Sequence, residues 1–223
     1  MKDFRLLASA AGFVLLSMGS GAHAANLVTN GSFEADAFNS SGGGYSLGLV
    51  GAAVTGWYIP ASDGTYPWGL QNVNVYSAGP AAAGYQWLVL GEAGTGAQYT
   101  IQQTLSGLTP SATYTLSFAI ASELGCCAHA EVSFLSGSST ATQTFNAPNS
   151  GSYWTRWDYN SMNFVASASS VTLQFKNVNP SSSDGYDLGL DDVSVSAVPE
   201  PSTWAMLGLG LAGLGLMRRR FAA

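Results

Sequence analysis

An all-β domain built from two packed antiparallel sheets is the architecture this sequence predicts, and three observations point to it. From Ala25 onward the chain shows short alternating runs rich in Val, Thr, Tyr and Phe, the period-2 pattern of half-buried strands. Gly, Ser, Pro and Asn separate these runs, and helical periodicity is scarce. About ten such runs fall between residues 25 and 197, the density of a sandwich rather than of alternating helices and strands.

The elements follow in order. "NSSGGGYSLGLVGAA" (39–53) is a Gly/Ser-rich excursion expected as a surface loop. "VTGWYI" (54–59), "NVNVYS" (72–77) and "QWLVLG" (86–91) read as the first strands. In "AQYTIQQTL" (97–105), Tyr99, Ile101 and Gln103 share one side, and Thr100, Gln102 and Thr104 the other. "ATYTLSFAIAS" (112–122) gives the clearest alternation, with Tyr114, Leu116, Phe118 and Ile120 on the buried face. "SGLTPSATY" supplies a turn at Pro110 between these two strands. "AEVSFLSG", "ATQTFNA", "YNSMNFVAS", "SVTLQFKNV" and "LGLDDVSVS" complete the set.

The two ends lie outside this pattern. Lys2 and Arg5 precede an apolar stretch, Leu6–Met18, and Ala22-His23-Ala24 fits a cleavage site, so residues 1–24 read as a secretory signal peptide. Residues 25–197 are then one domain, long enough to bury a substantial core. Its cations are Arg156 and Lys176 against eleven acids, a balance of about −9 that excludes nucleic-acid binding because phosphates find almost nothing to neutralise them. In an exported protein, acidic groups of this kind suit Ca²⁺, a cation of oxygen ligands.

Two brackets of the body carry a resemblance. "NLVTNGSFEAD" (26–36) and "LGLDDVSVS" (188–196), with a Gly-Trp at Trp57 between them and then "YTIQQTLSGLTPSATYTLSFAIAS" and "NFVASASSVTLQF", resemble the galactose-binding-like jelly-roll superfamily, which includes many carbohydrate-binding modules. The resemblance implies a jelly-roll sandwich whose first and last strands meet at a structural Ca²⁺. The matching positions are Glu34 and Asp191 or Asp192, while Asp184 and Asp187 read as turn formers. Neighbouring carboxylates repel unless a cation or a donor sits between them.

Sugar-binding proteins stack pyranose rings on exposed aromatics. The loop "SDGTYPWGLQN" places Tyr66 and Trp68 beside Asp63, Gln71 and Asn72, a candidate carbohydrate platform with extracellular polysaccharide as its partner. Trp57, Trp87 and one of Trp154 and Trp157 are expected in the core. Cys126 and Cys127 are adjacent. In an oxidising compartment they either close a vicinal disulfide, bond to another chain, or stay as thiols. Zinc does not fit one histidine beside adjacent cysteines.

Catalysis finds little support. "GYSLG" (44–48) matches G-x-S-x-G without the strand–turn–helix context, and "GLGLAG" (208–213) matches G-x-G-x-x-G with no strand before it. His129 reads as a loop residue, and no carboxyl pair is marked as acid and nucleophile. The expected role is non-enzymatic: an exported surface or matrix protein that binds carbohydrate. A structural or adhesion protein without a sugar ligand, and a polysaccharide hydrolase, are the alternatives.

The tail, residues 198–223, reads "VPEPSTWAMLGLGLAGLGLMRRRFAA". Ser202–Met217 as a helix is about 24 Å long against a hydrocarbon core of about 30 Å, and its glycines weaken it further. Arg218–Arg220 orient such a span with the body outside. Pro199-Glu200-Pro201, then the Gly/Leu-rich span, then the arginine cluster resemble the PEP-CTERM sorting signal. That resemblance implies a single transmembrane sorting helix, transient inner-membrane insertion, and an exosortase-type processing enzyme as partner. It also implies delivery to the cell surface or extracellular matrix of a Gram-negative bacterium.

Overall fold

The computed structural model describes residues 25–37, 46–47, 54–60, 68–73, 79–91, 99–123, 128–137, 139–149, 151, 154–178, 187–198 and 207–214. Among the described residues, ten strands form two antiparallel sheets. Their ranges are β1 Ser46–Leu47, β2 Trp68–Asn72, β3 Gln86–Leu90, β4 Thr100–Ser106, β5 Thr113–Ser122, β6 His129–Ser136, β7 Ser139–Asn146, β8 Asp158–Val165, β9 Ser170–Asn177 and β10 Leu188–Ala197. One sheet runs β1-β2-β3-β10-β5-β8 and the other β4-β9-β6-β7. The expected two-sheet jelly-roll sandwich is what the chain forms.

Alternation decides what faces inward. Along β5, Tyr114, Leu116, Phe118 and Ile120 are buried between the sheets, as are Ile101 and Leu105 of β4 and Val171, Leu173 and Phe175 of β9. Aromatic rings fill the middle: Phe118 meets Phe175 edge-on at 5.2 Å, and Phe175 lies 6.2 Å from Trp57, which lies 5.6 Å from Phe33. Such tilted pairs add to area burial.

β3 is buried on both faces. Leu88 and Leu90 enter the main core, whereas Trp87 and Val89 join Ala121 and Trp154 in a second cluster on the outer face of the six-stranded sheet. Trp87 lies 5.7 Å from Trp154 and 5.8 Å from Trp157. Trp57, Trp87 and Trp154 are buried as expected, but two of them serve this outer cluster. Gly189 makes room for it, since a Cβ there would lie 2.9 Å from Trp154 Cδ1.

The strand boundaries differ from expectation at the start of the chain. Residues 54–59 form only an isolated bridge, Tyr58 with Gln102. β2 is Trp68–Asn72, five residues that pair in register with Leu90–Gln86; of the expected strand 72–77, residues 74–77 lie outside the described residues. β1 sits inside the Gly/Ser-rich excursion. His129 opens β6 instead of occupying a loop, its Nδ1 2.6 Å from Asn146 Oδ1 across the β6–β7 pair. In the tail, residues 207–214 are helical, and among the described residues no helix is long and apolar enough to cross a membrane. Cys126 and Cys127 lie outside the described residues.

Candidate functional site

The carboxylates at the two brackets converge on one strap, Pro80–Tyr85, that leads into β3. Asp191 Oδ2 accepts the Ala83 N–H at 2.8 Å, and its Oδ1 accepts the Asp192 N–H at 2.7 Å. Glu34 Oε1 accepts the N–H groups of Tyr85 and Gln86, each at 2.7 Å. Trp157 Nε1 donates to Pro80 O at 2.8 Å, fixing the far end. Burial pushes the Asp191 carboxyl up to about 7, against the pull of its N–H donors.

β10 makes this latch possible. Its register against β5 shifts between Asp191 and Ser194, and Asp192 takes a left-handed φ of 48°, so a bulge turns Asp191 outward beneath the strap and Val193 inward to the core. Gly31 packs on the bulge so closely that a Cβ would lie 1.9 Å from Val193 O, while its own carbonyl accepts the Val193 N–H at 2.9 Å. Glu34 and Asp191 thus both bind the segment around residues 83–86, each accepting backbone N–H groups. Among the described residues no three of His, Cys, Asp and Glu gather as a metal site. Asp192 is exposed.

The N-terminal bracket is held by side chains that substitute for a strand. Asn26 Oδ1 accepts from Val28 and Val195 N–H, both at 3.0 Å, and Gln103 Nε2 donates to Thr29 O and Gly56 O at 2.9 and 2.8 Å. Asn30 Nδ2 reaches Asp36 and Thr55 O, and Asp36 in turn accepts from the Thr55 hydroxyl at 2.7 Å. Gln86 Nε2 donates to Phe33 O and Asp36 O.

Of the candidate platform near β2, the side chains described are those of Gln71 and Asn72. Asp63 and Tyr66 lie outside the described residues, and of the Trp68 side chain nothing is described. Gln71 is fully buried beside Trp87, its register partner. It therefore does not face solvent as a surface sugar contact would. The reason is position: β2 is an interior strand, and its 71 side falls on the covered outer cluster. Among the described residues, neither the Gln71 amide nor Trp87 Nε1 has a hydrogen-bond partner.

A different surface collects sugar-compatible groups. On the outer face of the four-stranded sheet, Tyr58, Gln102, Gln174, Ser133 and Thr142 are successive cross-strand partners and so form one row. Gln174 Nε2 donates to Gln102 Oε1 at 3.3 Å, and the Ser133 and Thr142 hydroxyls are 2.9 Å apart. A parallel row holds Thr104, Thr172, Leu135 and Thr140, and another holds Thr100, Lys176, Glu131 and Thr144. At the β4 edge Tyr58 is 51% exposed. It borders an open hollow of about 480 Å³ lined also by Thr29, Gly56, Trp57, Gln102, Gln103 and Thr104. The alternation that marked Gln102 and Thr104 as facing away from Ile101 was the sequence signal for this face. Its assembly with β9, β6 and Tyr58 depends on strand order.

Comparison with known proteins follows the same outline. The family model described as "Protein of unknown function (DUF642)" matches residues 26–196, and the PEP-CTERM protein-sorting motif matches residues 197–220. No curated protein sequence matches the chain. Among solved structures, the enzymatically active domain of bacteriophage CBA120 tailspike protein 4 aligns at 15% identity with a TM-score of 0.51, covering 78% of this chain and 21% of that one. TmCBM61, solved in complex with beta-1,4-galactotriose, aligns at 14% identity and TM-score 0.49 over 78% of this chain and 99% of that one. The CBM22-1 xylan-binding domain from Paenibacillus barcinonensis Xyn10C aligns at 13% identity and 0.48, covering 80% and 97%. At these identities the likeness to the tailspike domain speaks to the fold alone. The PEP-CTERM motif marks an exported protein sorted to the cell surface.

Proposed function

The chain belongs to the DUF642 family, and from that premise we propose that its β-sandwich is a non-catalytic carbohydrate-binding module displayed on the cell surface or in the extracellular matrix. The observation that carries this reading is the row Tyr58–Gln102–Gln174–Ser133–Thr142. A solvent face of an antiparallel sheet is ordinarily polar. Here, though, the row offers the carboxamides of Gln102 and Gln174 and the hydroxyl of Thr142, groups that both donate and accept as sugar hydroxyls do, with the half-exposed Tyr58 at one end and Ser133 buried within it.

The non-catalytic part of the reading rests on the carboxyls. Asp191, the described carboxyl pushed up to about 7, is tied to Ala83 under the strap of the six-stranded sheet, away from the polar face. Exosortase-type processing at Pro199-Glu200-Pro201, through a short-lived inner-membrane intermediate in a Gram-negative envelope, is the delivery route this reading takes.

A glycan array probed with the full-length protein tests the binding role. Binding that falls at least about tenfold in Tyr58→Ala and Gln102→Ala, the loss of roughly one stacking or hydrogen-bonding contact, is the expected result. Silence across the array sinks the carbohydrate reading and leaves a structural or adhesion role. Release of reducing sugar would make the protein a hydrolase.

A further inference from the structure

We propose that this polar face selects a neutral, extended polysaccharide lying across the strands, and turns away chains that carry uronic acids; the inference rests on the carbohydrate reading above and names its ligand class. Length comes first. The Tyr58–Thr142 row crosses five neighbouring segments, which at about 4.8 Å per step spans about 19 Å, the reach of roughly four sugar residues in an extended chain. The row has no break in register from β4 through β9 and β6 to β7, so a straight ligand meets Tyr58, Gln102, Gln174 and Thr142 in line, while Ser133 is buried and bonded to the Thr142 hydroxyl. The exposed Tyr58 and its hollow stand at one end, and the exposed edge strand β7 leaves the other end open for the chain to run on.

Charge supplies the selectivity. Lys176 is the cation among the described residues of this face, and Glu131 is its direct cross-strand partner. Its field toward an approaching carboxylate is offset within the sheet. The body around it carries two cations and eleven acids. A polyuronate therefore finds no arginine or lysine row to receive its carboxylates, and meets a repulsion that reaches about 8 Å at physiological ionic strength. A neutral chain loses nothing to this field and gains the accessible amides of Gln102 and Gln174 and the hydroxyl of Thr142.

The test is affinity electrophoresis of the full-length protein, detergent-solubilised, in gels containing a neutral xylan or galactan or an alginate or polygalacturonate, with an oligosaccharide length series by calorimetry. Retardation is expected in the neutral gels and not in the uronate gels. Affinity is expected to climb from disaccharide to about tetrasaccharide and then level, as the ~4.8 Å spacing of five segments dictates. Glu131→Lys should bring uronate retardation up. Uronate retention equal to or above neutral retention, weakened by salt, overturns the proposal. If the same retention vanishes in Tyr58→Ala, the carbohydrate reading stands and only the ligand class falls. If Tyr58→Ala and Gln174→Ala bind neutral glycans unchanged, the face is wrong and this proposal falls, while carbohydrate binding elsewhere on the chain stands; silence of the wild type toward every glycan sinks both.

Discussion

Asp191 concentrates the chemistry of the fold at one residue. Its carboxyl is raised from 3.8 to about 7, burial being the main cause. A carboxyl raised on folding adds stability that is complete below its unfolded value and lost as pH rises through about 7. The protein should thus melt higher at pH 5 than at pH 8, by an amount on the order of 2–4 kcal/mol in unfolding free energy. Asp191→Asn should flatten that dependence, and a wild-type melt that is level or rises with pH would remove the assignment. Gly31 is constrained by distance alone. A Cβ placed 1.9 Å from the Val193 carbonyl cannot be relieved by a rotamer, so Gly31→Ala should destabilise by more than about 3 kcal/mol in chemical denaturation. Gln71 runs the other way. Its buried amide has no partner among the described residues, and Gln71→Met should raise stability by about 1 kcal/mol. A fall would mean that the amide is held by water.

At the scale of elements, the first and last segments behave as one device. The 29–36 turn, the β10 bulge and the Pro80–Tyr85 strap are joined by Gly31–Val193, Asp191–Ala83 and Glu34–Gln86 contacts. Gln86 links strap and turn through Phe33 O and Asp36 O, so Gln86→Ala should loosen both at once. Hydrogen exchange is expected to quicken at the amides of Tyr85 and Ala35 together; quickening at one alone would separate the two elements. The sequence made this pairing legible through "NGSFE" and "LDDV", since acids with few cations need donors. It did not reveal that the donors are backbone N–H groups of a third segment, because which loop crosses β10 follows from the packing of Trp157 and Trp154. Strands β5 and β9 were readable because their alternation is strict. β2 escaped the sequence reading because "WGLQN" has little strand character and owes its place to β3.

For the whole molecule, calcium held by Glu34 and Asp191 is a proposal with a direct readout: a lower melting midpoint in EDTA than in calcium supports the ion, and an unchanged curve leaves the N–H groups of the strap as the carboxylates' partners. The tail predicts a mass. Processing at the PEP-CTERM motif should leave surface-extracted protein without Arg218–Arg220, and an intact tail would make the segment a lasting anchor.

The sequence by itself determined the sandwich, the identity of its core residues and the address at its C-terminus. Each of these is written locally, in a two-residue period, in apolar side chains or in a linear motif. Only the tertiary structure decided which outer face is polar, continuous and open, and which is sealed by Trp87, Trp154 and the strap. Face identity arises from strand order, β4-β9-β6-β7 against β1-β2-β3-β10-β5-β8. Gln71 and Gln102 look alike in the chain; one is buried in an aromatic cluster and the other lies on the proposed sugar track. What separates them is which neighbour each strand acquires, and that is settled by long-range pairing rather than by any residue's own chemistry.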